Sequence, residues 1–213
     1  MQFPKSNTAT RFCKICFKPI RDNSLRFLFG DSPPLCRKCF ESMKPKLQRW
    51  KVNNVVCYAL FEYKDQIRSL LYQFKGCFDY ELFPVFVYFS QPLIRFRFQN
   101  YLIVPAPSSA LRNAQRGFNQ VVEMFKPIGL EISDVLLKNS DDKQSDLGAK
   151  QRQEVYKVLA MKKGASIQGK KVLLVDDVYT TGSTIKGCID LLKKHGASKV
   201  AVLVMSRTPK HGV

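Results

Sequence analysis

The chain has no uninterrupted apolar run long enough to span a bilayer. Its best candidate, Leu82 to Ile94, is short, is broken by Pro84 and Pro92, and runs on into Arg95 and Arg97. The start, MQFPKSNTATRFCK, lacks the apolar core and small-residue cleavage site of a secretory signal. Together these absences predict a soluble cytoplasmic protein with no membrane span. Histidine is nearly missing: His195 and His211 are the two present, one at a helix end and one in the tail, and neither is expected to carry chemistry. Acids are scarce too, with 17 Asp and Glu against 35 Lys and Arg, a formal net charge of +18 over 213 residues. Residues 1–50 hold 11 Lys and Arg against 3 Asp and Glu, leaving 24 against 14 for the remainder, so both parts are basic. Such a balance favours polyanionic partners through counterion release, the alternative being a basic surface that merely follows a Lys-rich proteome bias. An apolar fraction of 45% is ordinary for a globular chain and excludes wholesale disorder.

Seven cysteines in a reducing compartment suggest metal ligands rather than disulfides. Four form two knuckles, Cys13-Lys-Ile-Cys16 and Cys36-Arg-Lys-Cys39, with 19 residues between the pairs. Two knuckles complete a tetrahedral thiolate shell, so a structural Zn²⁺ is expected, with no open coordination position for chemistry. A redox dithiol is the competing idea, but it normally stands alone beside a βαβ unit. The turn formers between the pairs surround one short apolar ribbon, Leu25 to Phe29. A piece this small needs the metal for stability. Lys44 to Lys51 reads as a basic linker. The expected organisation is therefore a zinc module with linker over 1–50 and an α/β domain over 51–213. Cys57, Cys77 and Cys188 are expected to be plain core or turn residues.

The second chemical signal is Lys171 to Ile185. The apolar run Val172-Leu-Leu-Val175 suits a strand covered on both faces, and it meets two carboxylates, Asp176 and Asp177. A small-residue loop to Thr184 and a helix over Ser183–Lys194 follow. Backbone N–H groups at the helix start and the hydroxyls of Thr180, Thr181, Ser183 and Thr184 around Gly182 make a phosphate cradle. The acids would repel phosphate and suit sugar hydroxyls or a metal ion. A cradle beside an acidic pair describes a site for a phosphorylated sugar. An ordinary strand–loop–helix with a capping acid would not need so many small and hydroxylic residues.

Elsewhere, Val55–Tyr63, Tyr101–Val104, Asp134–Lys138 and Val200–Val204 read as strands. Asp65–Phe74 has apolar residues at helical spacing and ends at Lys75-Gly76, which makes Lys75 either a complement to the helix dipole or an anion contact. Residues 80–98 read as a further helix. After Pro105-Ala-Pro107 come Ser108 and a helix start carrying Arg112 and Arg116, four apart and on one face. They could grip a diphosphate or form a solvated basic face. Asn139–Asp146 reads as a lid or a surface loop, and Gly148–Val158 as a helix carrying Arg152. Strands alternating with helices predict a parallel sheet.

VLLVDDVYTTGST resembles the phosphoribosyl diphosphate motif of type I phosphoribosyltransferases. That likeness implies Asp176 and Asp177 on the ribose hydroxyls and Thr180 to Thr184 on the 5′-phosphate. The Cys₄ module, FEYKDQIRSLLYQFKG, VPAPSSALRNAQRGFNQ and LVDDVYTTGST, in that order, are similar to the ComF/ComFC competence family, with ArgGlyPheAsnGln at 116–120 as its most specific mark. The chain departs from that family at Asp142-Lys-Gln-Ser-Asp146 and at Gln151-Arg152-Gln153. The resemblance implies a zinc ribbon fused to a parallel-sheet phosphoribosyltransferase-like domain. It also implies a role in DNA uptake, handling of single-stranded DNA, and a helicase-like competence ATPase as partner. Phosphoribosyl diphosphate with Mg²⁺ would occupy the site, with Lys75, Ser108, Arg112 and Arg116 as candidates for its diphosphate. DNA would lie mainly over the zinc module and the adjacent basic surface. The alternative is an active phosphoribosyltransferase of nucleotide metabolism with an unidentified acceptor.

Overall fold

The computed structural model describes residues 11–20, 33–138 and 159–209. In chain order the strands are β1 (Gln48–Val52), β2 (Val55–Glu62), β3 (Leu102–Pro105), β4 (Leu136–Lys138), β5 (Leu159–Met161), β6 (Lys171–Tyr179) and β7 (Lys199–Arg207). The helices are α1 (Arg37–Ser42), α2 (Asp65–Gly76), α3 (Gln91–Phe98), α4 (Ala110–Arg116), α5 (Gln120–Phe125) and α6 (Ser183–Lys194). The main sheet has the order β1-β2-β7-β6-β3. Strands β2, β7, β6 and β3 are parallel, and β1 adds an antiparallel edge. Strands β4 and β5 form a separate antiparallel pair. The fold is the α/β, mostly parallel arrangement that the strand and helix pattern predicts.

Alternation explains why β6 reads as an unbroken apolar run. Leu173 and Val175 turn into one buried cluster with Phe74, Phe86 and Phe125, while Val172 and Leu174 turn into the other with Ile185, Cys188 and Ile189. Successive strand residues face opposite sides, so a strand covered twice has no polar face to show. Helix α2 buries Ile67, Leu70, Leu71 and Phe74, the stripe its spacing predicts. Cys13, Leu35, Cys39 and Met43 belong to the same cluster as Phe74. The cysteine module is thus seated on the core of the sheet domain.

Three expectations are corrected. Gln48 to Lys51, read as the end of a linker, instead form β1 with Val52 and pair along β2 from Gln48↔Ala59 to Val52↔Val55. Residues 80–98 are a 3₁₀ turn over Tyr80–Val85 and a separate helix α3, not one helix. Pro84 and Pro92 account for the break, because proline removes a helix N–H and is tolerated in the first turn, where Pro92 sits. The strand expected over 134–138 is confined to 136–138. The Leu25–Phe29 ribbon, the Asn139–Asp146 segment, the helix over Gly148–Val158 and His211 lie outside the described residues.

Candidate functional site

Strand β6 does not end at its two acids. It continues to Tyr179, because β7 runs alongside it to Arg207 and supplies ladder partners, Asp176↔Val204 and Tyr179↔Arg207 among them. On the other side β3 stops at Pro105, opposite Val175. The chain then turns through Ala106, whose N–H still bonds the Val175 carbonyl at 2.8 Å. From Asp176 onward β6 therefore has no strand partner on its β3 side among the described residues. That vacancy is a cleft of about 620 Å³ at the carboxyl ends of the parallel strands, where open α/β sheets bind ligands.

The cleft gathers most of the residues predicted from sequence. Lys75, Ser108, Arg112, Arg116, Asp176, Asp177 and Thr184 all line it. Thr180, Thr181, Gly182 and Ser183 are not among its lining residues; they build the turn into α6, with the Thr181 and Ser183 hydroxyls 3.2 Å apart. Gly182 caps α6 at φ 75, a left-handed conformation suited to glycine. A Cβ there would also run into the Tyr179 ring, reaching its Cε2 at 2.7 Å. Gly182→Ala is expected to cost about 1–3 kcal/mol of stability and to weaken any phosphate ligand about tenfold. Thermal melting and phosphate-ester binding check this, and an unchanged variant contradicts the cradle.

The stretch Arg116-Gly-Phe-Asn-Gln120 makes the corner between two short helices, and each residue has a task. Arg116 ends α4, and Gly117, at φ 79, returns its N–H to Asn113 and Ala114 carbonyls. Phe118 packs on Phe74 and Tyr80, with ring centroids at 5.3 and 5.2 Å. Asn119 caps α5, its Oδ1 accepting from the N–H of Val121 and Val122. Gln120 is thereby carried to the acids, where its Nε2 donates to Asp177 Oδ2 at 2.7 Å. Ser108 is held in the cleft wall by Asn113 Nδ2 at 2.6 Å.

Adjacent acids receive opposite treatment because they sit on opposite faces of β6. Asp177 is buried, and Lys75 Nζ lies 2.5 Å from its Oδ2. The Asp176 carboxyl is desolvated and faces the charge of Asp177, which together push it up to about 8 against the opposing pull of the Asp177 N–H at 2.8 Å and of Lys75. Burial, and then Arg112, hold the Arg116 guanidinium below its ordinary value. Gln120 was visible in sequence only as part of a motif; its spacing of four from Arg116 was the available signal. Gln115 and Lys138 also line the cleft, and neither carried a sequence signal.

The Sγ atoms of Cys13, Cys16, Cys36 and Cys39 lie within 4.8 Å of one another, the Cys16–Cys36 pair at 3.9 Å. A tetrahedral zinc–thiolate shell with bonds near 2.3 Å has edges of about 3.8 Å, so the donor set fits that ion. Cys36 caps α1 and Cys39 lies within it, while the first knuckle is closed by Phe17 N–H on the Cys13 carbonyl at 2.8 Å. Burial pushes the Cys13 thiol up, but the N–H groups of Cys16, Cys36 and Ile15 outweigh it and bring the group down to about 7. Burial and the neighbouring thiols push Cys39 up. A cation in the middle would relieve that crowding.

Fold and cleft together define a type I phosphoribosyltransferase-like domain carrying a four-cysteine module. Residues 94–211 match the phosphoribosyl transferase domain family. Competence protein ComFC of Streptococcus pneumoniae is 33% identical over 149 residues, 70% of this chain and 67% of that protein. DNA utilization protein YhgH of Escherichia coli is 32% identical over 112 residues, 50% of this chain and 49% of its own length. A hypoxanthine-guanine phosphoribosyltransferase structure from Bacillus anthracis aligns with 63% of this chain and 76% of its own, at 15% identity and a TM-score of 0.42. The chain belongs to the ComF/ComFC family of competence proteins.

Proposed function

We propose that this protein serves DNA uptake in natural transformation, binding phosphoribosyl diphosphate with Mg²⁺ in the cleft and single-stranded DNA over the cysteine module. The observation that carries the first part is the division of one cleft into two chemistries. Asp176 and Asp177 offer acceptors for vicinal ribose hydroxyls, and the same cleft holds the cations Lys75, Arg112, Arg116 and Lys138, a set from which a diphosphate can be bound, with Thr184 and the α6 N-terminus at the phosphate end. When bound, Mg²⁺ would lie near the Asp176 and Asp177 carboxylates and would neutralise part of the ligand's charge. If transfer occurs, the residues contribute positioning and charge stabilisation at the sugar carbon rather than covalent chemistry. Saturating phosphoribosyl diphosphate with Mg²⁺ is expected to raise the melting temperature. Diphosphate release on addition of nucleobase acceptors would make the chain a phosphoribosyltransferase of nucleotide metabolism, while binding without release fits a DNA-handling protein. No shift at all contradicts the assignment of the cleft.

The names of the two relatives, a competence protein and a DNA utilization protein, support the second part. So does the surface of the cysteine module, where Phe12 and Phe17 are 57% and 74% exposed and Lys14 and Lys18 lie beside them in sequence. Exposed rings interleaved with cations suit base stacking along a phosphate backbone. A helicase-like competence ATPase would be the natural partner for such a strand. Affinity for single-stranded DNA is expected to fall about tenfold or more between about 50 and 200 mM salt. Phe17→Ala is expected to weaken it by a further factor of about ten, at roughly 1–3 kcal/mol per stacked base. Affinity indifferent to salt would contradict the reading.

A further inference from the structure

Arg116, Gln120, Asp177 and Lys75 form a closed ring of contacts at the acid end of the cleft. Arg116 Nε donates to the Lys75 carbonyl at 3.0 Å, and its Nη1 donates to Gln120 Oε1. Gln120 Nε2 donates to Asp177 Oδ2, and that same oxygen takes the Lys75 ammonium. We infer that Arg116 and Gln120 are positioning residues that fix the Asp177 carboxylate for the ribose hydroxyls, and that the diphosphate falls to Arg112 and Lys138. The inference rests on the proposed occupancy of the cleft and divides its residues between two parts of that ligand.

Partner chemistry decides the orientation of the ring. A guanidinium only donates and an ionised carboxylate only accepts, so the Gln120 carboxamide between them can sit one way round. An amide turned over would set its NH₂ against Arg116 and its oxygen against Asp177. Both occupied positions on Asp177 fall on Oδ2, which leaves Oδ1 without a partner among the described residues. On Asp176 the Asp177 N–H takes Oδ1 and leaves Oδ2. Among the described residues each acid thus presents one oxygen without a partner, which matches two adjacent hydroxyls. Arg116 has committed two of its nitrogens to this end, whereas the side chains of Arg112 and Lys138 line the cleft with no partner among the described residues.

Two half-ligands separate the roles, with binding measured calorimetrically on the full chain. Ribose 5-phosphate probes the acid end, and inorganic diphosphate with Mg²⁺ probes the other. Gln120→Ala and Arg116→Ala are each expected to weaken ribose 5-phosphate about tenfold while moving diphosphate less than about twofold, and Arg112→Ala to do the reverse. Because Arg116 acts through Gln120, the double variant is expected to be no weaker than about twofold below the poorer single variant. Loss of diphosphate binding in Arg116→Ala equal to its loss of ribose 5-phosphate overturns the inference while leaving the site assignment standing. If Arg116→Ala does not fold, Gln120→Ala carries the same test, because among the described residues the Gln120 side chain hydrogen-bonds Arg116 and Asp177. Wild-type protein that binds neither probe overturns both the inference and the reading beneath it.

Discussion

Cys39→Ser is expected to release the metal from the four-cysteine module and to lower the melting temperature by roughly 6–12 °C, the equivalent of about 3 kcal/mol in a chain of this size. The size of the effect follows from where the module sits. Cys13 and Cys39 are buried in the same cluster as Phe74, Phe86 and Phe125, so a module that loosens uncovers the face of the sheet domain beneath it. Two further contacts join them: the Phe40 and Phe89 rings, with centroids 4.0 Å apart, and the Lys14–Glu81 ion pair. The ring contact contributes about 1 kcal/mol beyond its area, and the exposed ion pair less. Elemental analysis should find about one zinc per wild-type chain and little in the variant, as a single tetrathiolate site requires. A variant that loses its zinc and keeps its melting temperature would show that the module is a detachable appendage.

Asparagine at 176 and at 177 is expected to change stability in opposite directions while both variants lose ligand binding. The Asp176 carboxyl, pushed up to about 8 by burial and then by Asp177, holds a proton in the folded state that the unfolded chain has already lost above about pH 4. Stability contributed by protonated Asp176 is fully present below about pH 4 and is lost as pH rises through 8. Asparagine imitates the protonated form at every pH. Asp176→Asn should therefore match wild type near pH 4 and exceed it near pH 9 by about 2 kcal/mol, a figure reduced for the solvent that reaches a half-buried residue. Asp177→Asn removes the counter-charge of Lys75, whose side chain is 23% exposed, and breaks the contact with Gln120. It should cost about 1–3 kcal/mol at neutral pH. Melting curves at acid and alkaline pH read both signs. Two variants that shift together would contradict the separation of the acids onto opposite faces.

The elements of the core were legible in the sequence where pattern and structure share a period. The apolar run of β6, the stripe of α2 and the bounds of α6 follow from burial on one or both faces, which composition records directly. Strand β1 was not legible. As an edge strand with Arg49 and Lys51 exposed, it has the charged composition of a linker, and only its pairing with β2 shows otherwise. The extent of β6 was hidden for a related reason: Asp176 to Tyr179 stay in the ladder because β7 is beside them, a tertiary fact absent from local chemistry. At the site, residue types lead one to expect a phosphorylated sugar, and the structure brings seven of the predicted residues into one cleft. The ring through Arg116 and Gln120 was beyond reach, since it depends on a corner between two helices aimed at a third element. Lys138 arrives from the β4 end with no motif to mark it.

All of this turns on what occupies the acid end of the cleft. Calorimetric titration of phosphoribosyl diphosphate with Mg²⁺, comparing wild type with the Asp176→Asn/Asp177→Asn double variant at pH 9, above the titration of Asp176, tests it most directly. Saturable binding to wild type that weakens about a hundredfold or more in the double variant is the predicted result, each charged acceptor contributing about 1.5–3 kcal/mol. Equal affinity in the two proteins, or none in wild type, would contradict the assignment of the acids to the ribose.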